Sequence, residues 1–383
     1  MTTVVPASAA DVAAVLRDAT ARRHAVLIRG GGTKLDWGRP PRAVDVVLDM
    51  RGINRVLTHQ HGDLTATFEA GITLREANAA LAAHGQWLPL DSAFPDEATI
   101  GGLLATNDSG ALRHRFGTPR DLVIGVQICA ADGTLAKAGG QVVKNVAGYD
   151  LGRLVAGSFG SLGAIVSATF KLSPLPAASK TLRVTAPGGR AIGDLVKRVM
   201  ASQLEPLAFD VTWQPAPAAL HIRFGSRPEV VDAQVEQARA MLRGAGGSTE
   251  VIEADEERRL WREQQMRPWS GSGAVARMSW LPANLSAVLS ELRAAAAPVA
   301  FTGRAAIGAG FVRIGANAET QARVLGRLRE SPVLGNVVLL RGSDELKARV
   351  DPWGPMGDRV ALLAAVKRAL DPHDTLNAGR GPV

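Results

Sequence analysis

From residue 8 the apolar positions Val12, Val15, Leu16 and Ala19 recur at helical spacing, and Ser8 and Asp11 stand in capping-box order before them, so the pattern predicts a helix. Residues 25–28 form a short apolar run that reads as a buried strand ending in Arg29-Gly30-Gly31-Gly32-Thr33-Lys34. A second strand over 45–49 follows the Pro40-Pro41 turn, and helix and strands together read as a small β-α-β unit. Leu64, Ala66 and Phe68 then alternate with threonines as in a half-buried strand. Thr73 and Glu76 form a capping box for a helix that stops at Gly85, and residues 87–90 come out extended. A short helix starts at Gly101-Gly102. Strands over 123–130 and 134–138 flank Asp132-Gly133, which predicts a two-residue hairpin, and Val166, Ala168, Phe170 and Leu172 alternate along a further strand.

The run Ser173-Pro174-Leu175-Pro176 breaks this pattern. Beyond it, strand-like segments near 181–185, 206–213, 219–224, 273–280, 307–314 and 336–340 alternate with helical ones near 191–201, 229–243, 255–265, 284–296 and 318–330. Such alternation suggests an α+β layer, with helices on one face of a mostly antiparallel sheet. A final helix over 358–370 leads into Asp371-Pro372-His373-Asp374-Thr375-Leu376-Asn377-Ala378-Gly379-Arg380. The expected division is 1–176, 177–350 and 351–383.

Composition narrows the class. With 21% charged residues and apolar runs all interrupted by charge, the 383-residue chain has no membrane-spanning stretch, and its N-terminus shows no secretory pattern. The single cysteine, Cys129, excludes an internal disulfide framework and any all-cysteine metal or iron–sulfur site within the chain. These features predict a cytoplasmic protein. The net charge of +8 is spread out, without the basic blocks and aromatic interleaving that nucleic-acid binding calls for.

Three successive glycines directly after a strand can aim their N–H groups into one concavity and hold phosphate oxygens, although a surface turn has the same composition. The Gly30–Lys34 run is no Walker loop, since no Gly-Lys-Ser/Thr follows, and no Rossmann fingerprint, since it does not open a helix. Gly157 to Gly163 also has the wrong spacing and runs into a strand, which disfavours nicotinamide binding. His59 and His61 sit on a predicted turn with no third metal ligand nearby in sequence, so no metal site is expected. Tyr149, the one tyrosine, and Lys144-Asn145 before it could line a cofactor site or pack on the sheet, while Cys129 reads as a small core residue.

Taken jointly, residues 28–34, 98–102, 116–121, 144–151, 157–165 and 370–380 resemble, in order and spacing, the FAD-binding proteins of the vanillyl-alcohol oxidase type, the PCMH fold. Within that family, Lys144-Asn145-Val146-Ala147-Gly148-Tyr149-Asp150-Leu151 and the overall length are most similar to the FAD-binding subunits of bacterial glycolate oxidase complexes. The resemblance implies an FAD-binding domain of two α/β subdomains, a smaller α+β cap domain, and a C-terminal tail returning to the flavin domain. It implies that Arg29, Gly30, Gly31, Gly32, Thr33 and Lys34 hold the FAD pyrophosphate. Thr99, Gly101 and Gly102 would lie along the diphosphate and ribityl chain, with Thr106, Asn107, Ser109 and Gly110 nearer the flavin ring. Gly163, Ala164 and Ile165 would meet the adenine end, and Asn377 and Gly379 would close the site.

Departures from the family pattern shape the expected function. No histidine lies in the Arg29–Lys34 loop, where some relatives attach flavin covalently, so non-covalent FAD is expected. Relatives that oxidise 2-hydroxy acids carry a His-x-Gly-Asp-Gly-Asn-x-His type segment in the second domain; here only His221 lies between residue 176 and His373. Hydride transfer from a hydroxy acid needs a base at the hydroxyl, and the sequence offers no nameable catalytic residue. The expectation is therefore an FAD-binding subunit of a glycolate oxidase or dehydrogenase complex. Its partners would be a homologous FAD-containing catalytic subunit and an iron–sulfur subunit, the complex lying in the cytoplasm or peripherally at the inner face of the cytoplasmic membrane. Two alternatives stay open: a stand-alone FAD oxidoreductase of a 2-hydroxy acid, alcohol or sugar, and a structural subunit with a non-catalytic flavin pocket.

Overall fold

In the computed structural model, which describes residues 1–141, 148–214, 217–243 and 247–383, the chain is mixed α+β and divides into two compact units. One comprises residues 1–110, 116–175 and 355–383; the other comprises 111–115 and 176–354. The signature residues Lys144 to Ala147 lie outside the described residues.

The first unit begins with a strand the hydrophobic pattern does not reveal, Thr2–Val4, which is only three residues long and largely exposed. It pairs in parallel with Val46–Asp49, which pairs in parallel with Val26–Arg29. The β-α-β unit is therefore Thr2–Val4, the helix Ala9–Ala21 and Val26–Arg29, with Val46–Asp49 inserted between its strands. The connection from Arg29 to Val46 crosses between parallel strands without a helix, carries the glycine run, and is anchored by the fully buried Trp37. Ser8 caps the helix as expected by accepting from the Asp11 N–H, but the Asp11 carboxylate accepts from Ala7 rather than Ser8. Val12, Leu16, Ala19, Val26 and Leu48 form a small core with Cys129, which is buried as expected.

A five-stranded antiparallel sheet completes this unit, in the order Val56–Gln60, Thr65–Glu69, Ala164–Lys171, Val123–Cys129, Leu135–Gly139. The helix Leu74–Ala82 has the full Thr73/Glu76 capping box, and the helix Ile100–Thr106 is capped by Thr99. Their side chains Leu81, Ile100 and Leu103 join Phe68 and Phe170 in one cluster. The hairpin at Asp132-Gly133 is longer than predicted. Ala130 and Thr134 pair through the Ala130 N–H at 2.9 Å, the Gly133 N–H bonds back to Ala130, and Gly133 alone takes a left-handed φ of 84°. This is a three-residue loop rather than a two-residue one.

The second unit is built on an eight-stranded, wholly antiparallel sheet. Its order is Thr249–Glu253, Ala178–Ala186, Ala218–Ser226, Ala208–Trp213, Val299–Arg304, Ala309–Ile314, Ala274–Trp280, Leu334–Arg341. Thr249–Glu253 escapes the sequence pattern because it is a polar edge strand with one buried residue, Ile252. Val299–Arg304 escapes because both of its faces are covered, which erases alternation.

The helices do not share one face. Leu182, Val184, Leu220 and Phe209 point into a core with Leu195, Val235, Val288 and Leu325 from the helices Gly189–Met200, Pro228–Leu242, Leu285–Arg293 and Ala318–Glu330. Thr181, on the opposite side of its strand, accepts from the Trp261 indole at 2.8 Å and donates to the Glu257 carboxylate at 2.7 Å. The helix Ala254–Met266 thus packs on the other, polar face.

Candidate functional site

The glycine run opens into a cleft in the first unit. Arg29, Gly30, Gly31, Gly32, Thr33 and Lys34 form one wall. Thr99, Gly101, Gly102 and Thr106 bring in the helix Ile100–Thr106, and Gly163 and Ile165 the start of the central strand. Asn377 closes it from the C-terminal segment.

Five of the expected residues lie off this wall. Asn107 ends its helix in a left-handed conformation, and its side-chain oxygen accepts from the Arg120 N–H at 3.0 Å. The Gly110 N–H donates to Asp91 at 3.0 Å in a buried turn, and Ser109 lies beside it in the chain. Ala164 points into the Cys129 core, and Gly379 turns against Arg42. The wall also contains Ile28, Phe159, Gly160 and Arg380, from the segments that carry the resemblance but without an expected role, and Met50 and Ala70, which belong to no motif and reach the wall through tertiary contacts alone.

Close packing explains several of the glycines. A Cβ at Gly30 would lie 2.1 Å from the Thr99 hydroxyl, one at Gly31 1.8 Å from the Glu97 carbonyl oxygen, and one at Gly101 2.7 Å from Ala70. These glycines let the loop, the helix and the sheet approach one another. Their backbone N–H groups are a separate matter. Among the described residues, the N–H groups of Gly30, Gly31, Gly32 and Thr33 donate to no protein acceptor, while those of Ile100 and Gly101 bond to Ile72 and Ala70. A row of such donors at a cleft suits the oxygens of a phosphate-bearing cofactor. The fit with a dinucleotide is good on this ground.

Charges around the loop are held in place. Arg29 and Asp49 face each other across the parallel strands at 2.7 Å, and Arg51 adds a second pair to Asp49 at 2.7 Å. Hydrogen bonding from Arg51 outweighs burial, and with Arg29 it draws the Asp49 carboxyl down to about 2. Lys34 is buried beside the Asp108 carboxylate at 3.4 Å.

The C-terminal segment fastens the loop. Residues 375–377 run along the free side of Val26–Arg29: Val26 donates to Thr375 at 2.8 Å and Asn377 donates back to Val26 at 2.9 Å. The Asn377 side chain accepts from the Ile28 N–H at 2.8 Å and donates to the Phe159 carbonyl at 2.5 Å. Arg380 donates to the carbonyls of Lys34, Leu35 and Trp37 at 2.9, 3.0 and 3.2 Å.

A second polar constellation, not legible in the sequence, lies within the other unit. Arg183, His221, Asp210 and Arg304 are cross-strand neighbours in one row on the polar face of the sheet. Burial, with Arg183 and Arg267 nearby, pushes His221 down to about 3, so it is neutral at ordinary pH. Tyr149, by contrast, is 92% exposed and does not line the glycine cleft.

The structure brings His84 to 5.0 Å from His59 and 4.7 Å from His61, ring centre to ring centre, supplying the third imidazole that sequence spacing lacks. Even so, no three histidine, cysteine or carboxylate groups among the described residues are placed to hold a metal ion. No helix among them is long and apolar enough to cross a membrane.

Comparison with known proteins agrees with the cleft. A domain family described as FAD binding domain matches residues 2–139. The glycolate oxidase subunit GlcE of Escherichia coli is 33% identical over 261 residues, covering 66% of this chain and 68% of that protein. The glycolate oxidase subunit GlcD of Bacillus subtilis is 29% identical over 271 residues, covering 66% of this chain and 58% of that protein. D-lactate dehydrogenase of Archaeoglobus fulgidus is 34% identical over 171 residues, covering 45% and 38%. The match thus spans less than two thirds of the length of the latter two relatives. Among solved structures, an alkyldihydroxyacetonephosphate synthase superposes with a TM-score of 0.74 at 17% identity, covering 98% of this chain and 75% of that one, a likeness of fold.

Proposed function

Because the chain belongs to the PCMH-type FAD-binding family that includes the glycolate oxidase subunits, we propose that it is the FAD-binding subunit of a complex that oxidises a small 2-hydroxy acid, glycolate in the first instance. The observation that carries this reading is the cleft at Gly30–Lys34, with its row of unused N–H donors and its fastening by Asn377 and Arg380. FAD bound there would supply a two-electron redox centre that relays electrons taken from the CH–OH donor by the partner. Gly30 to Lys34 hold the pyrophosphate through main-chain groups. Thr99, Gly101, Gly102 and Thr106 border the ribityl side, and Gly163 and Ile165 the adenine side. Asn377 fixes Ile28 and Phe159, so the wall keeps its shape when the cofactor leaves.

The accessory role is supported by the second unit. Its sole buried histidine between residue 176 and His373, His221, has an affinity for protons too low for a general base near neutral pH, where a value close to the working pH is needed. Substrate oxidation therefore belongs to a homologous flavoprotein partner, and electrons leave through an iron–sulfur subunit, with the complex in the cytoplasm. The rival reading, a self-sufficient oxidoreductase, draws on the row Arg183, His221, Asp210 and Arg304, which gathers polar side chains on one face of the second unit's sheet.

The flavin spectrum separates the two. The purified chain is expected to carry non-covalent FAD that glycolate does not bleach anaerobically, whereas the chain assembled with its partners bleaches. Bleaching of the isolated chain by glycolate or D-lactate would establish the rival.

A further inference from the structure

We propose that Lys367, paired with Asp371, is a positioning residue of the cofactor cleft that sets how long FAD stays bound, an inference that rests on the glycine cleft being the FAD site. The helix Arg359–Leu370 reads Arg-Val-Ala-Leu-Leu-Ala-Ala-Val-Lys-Arg-Ala-Leu, yet the one residue it buries is the lysine. An ammonium is costly to bury unless it is paired and its protons are all used. An apolar side chain of the same length would pack there without that cost. What the charge contributes is the convergence of segments it bonds.

The Lys367 ammonium donates to the Ser161 carbonyl at 2.9 Å, the Leu376 carbonyl at 3.1 Å and the Asp371 carboxylate at 2.5 Å, which uses its three protons. Asp374 lies beside it at 3.1 Å. The buried Asp371 carboxylate also accepts from the Thr375 N–H at 2.9 Å and the Leu376 N–H at 2.7 Å. The pair thus holds the outer side of residues 375–376, while the same stretch bonds on its inner side to Val26, in the strand that runs into the glycine loop.

Ser161 stands at the other end of the contact. It follows a turn in which Gly157, Phe159 and Gly160 take left-handed φ values of 81°, 55° and 73°. For phenylalanine that backbone is strained and persists only where its surroundings fix it. Phe159 and Gly160 line the cleft. The turn is fixed by the Phe159 N–H to the Ala105 carbonyl at 2.8 Å, by the Asn377 side chain to the Phe159 carbonyl, and by Lys367 to the Ser161 carbonyl. Removing the ammonium loosens the turn and the closing segment together. Lys367 does not itself line the cleft, so it acts on the cofactor only through these two segments.

The test follows FAD release from the full holoprotein after dilution, by flavin fluorescence, beside urea unfolding of the same samples. Lys367→Met keeps the side-chain length without the charge, and Asp371→Asn keeps the shape of its partner. Each should release FAD at least about tenfold faster than wild type, and the double variant no faster than the quicker single one, because the pair acts as a unit. Leu81→Ala opens the core of the same unit at a residue that lines no part of the cleft; it should lower the urea midpoint and leave FAD release at the wild-type rate. Wild-type release from Lys367→Met would overturn the proposal. So would equal acceleration in Leu81→Ala, since the lysine would then serve only the stability of the unit. Should Lys367→Met fail to fold, Asp371→Asn decides by the same criterion. Undiminished flavin in Gly102→Val would instead sink the assignment of FAD to this cleft, whatever Lys367 does.

Discussion

Glycine at 30, 31 and 101 reads from sequence as room for a ligand, and the structure assigns that room to protein: Thr99, the Glu97 carbonyl and Ala70 occupy the space beside their Cα atoms. Gly31→Val should therefore injure the fold as well as the cofactor site. Gly102 is the cleaner probe, because an added Cβ there meets only the Thr99 hydroxyl, at 3.2 Å. Gly102→Val is expected to lower bound FAD at least about tenfold, measured as flavin absorbance per protein, with circular dichroism unchanged. Asp49 sets a second expectation. Its pKa falls from 3.8 unfolded to about 2 folded, so its stabilisation is fully present above about pH 4 and disappears as pH falls towards 2. Asp49→Asn should cost about 2 kcal/mol at neutral pH and flatten the dependence of the denaturation midpoint on acidity in that window.

Most elements whose faces differ in polarity were legible, and the elements missed lack that contrast or are too short to show it. The helix at Thr73 announces itself by its capping box and the strand at Phe68 by alternation, whereas Thr2–Val4 is too short for any period. The closing segment is the main element whose role no local pattern could yield, because Asn377 acts on Ile28 and Arg380 on Lys34 from the far end of the chain. Asn377→Ala removes the hydrogen bonds to the Ile28 N–H and the Phe159 carbonyl. It should cost about 1–3 kcal/mol in thermal or denaturant unfolding and shorten FAD retention on gel filtration. The sheet of the second unit makes a pH prediction through His221. Folding holds it neutral, with its pKa lowered from 6.5 to about 3, so stability declines as pH falls below 6.5 and goes on declining towards 3. The slope approaches about 1.4 kcal/mol per pH unit for one proton, and His221→Gln should remove it from urea titrations between pH 6 and 4, values chosen to fall inside about that window.

For the whole chain, fold class and cofactor followed from several glycine segments taken together, and the cleft unites most of the residues those segments supplied. The polar row of Arg183, His221, Asp210 and Arg304 had no such signal, since four strands contribute one residue each and no two are close in sequence. Because FAD binds the folded chain and not the unfolded one, saturating it at about 100 times its dissociation constant should add about 2.7 kcal/mol, seen as a raised melting temperature that Gly102→Val lacks. The fastening of Ile28 by Asn377 spans 349 positions of sequence. The wall of the cleft is therefore complete only once residue 377 has been made, so a chain cut short before Asn377 is expected to hold flavin less well than the whole chain.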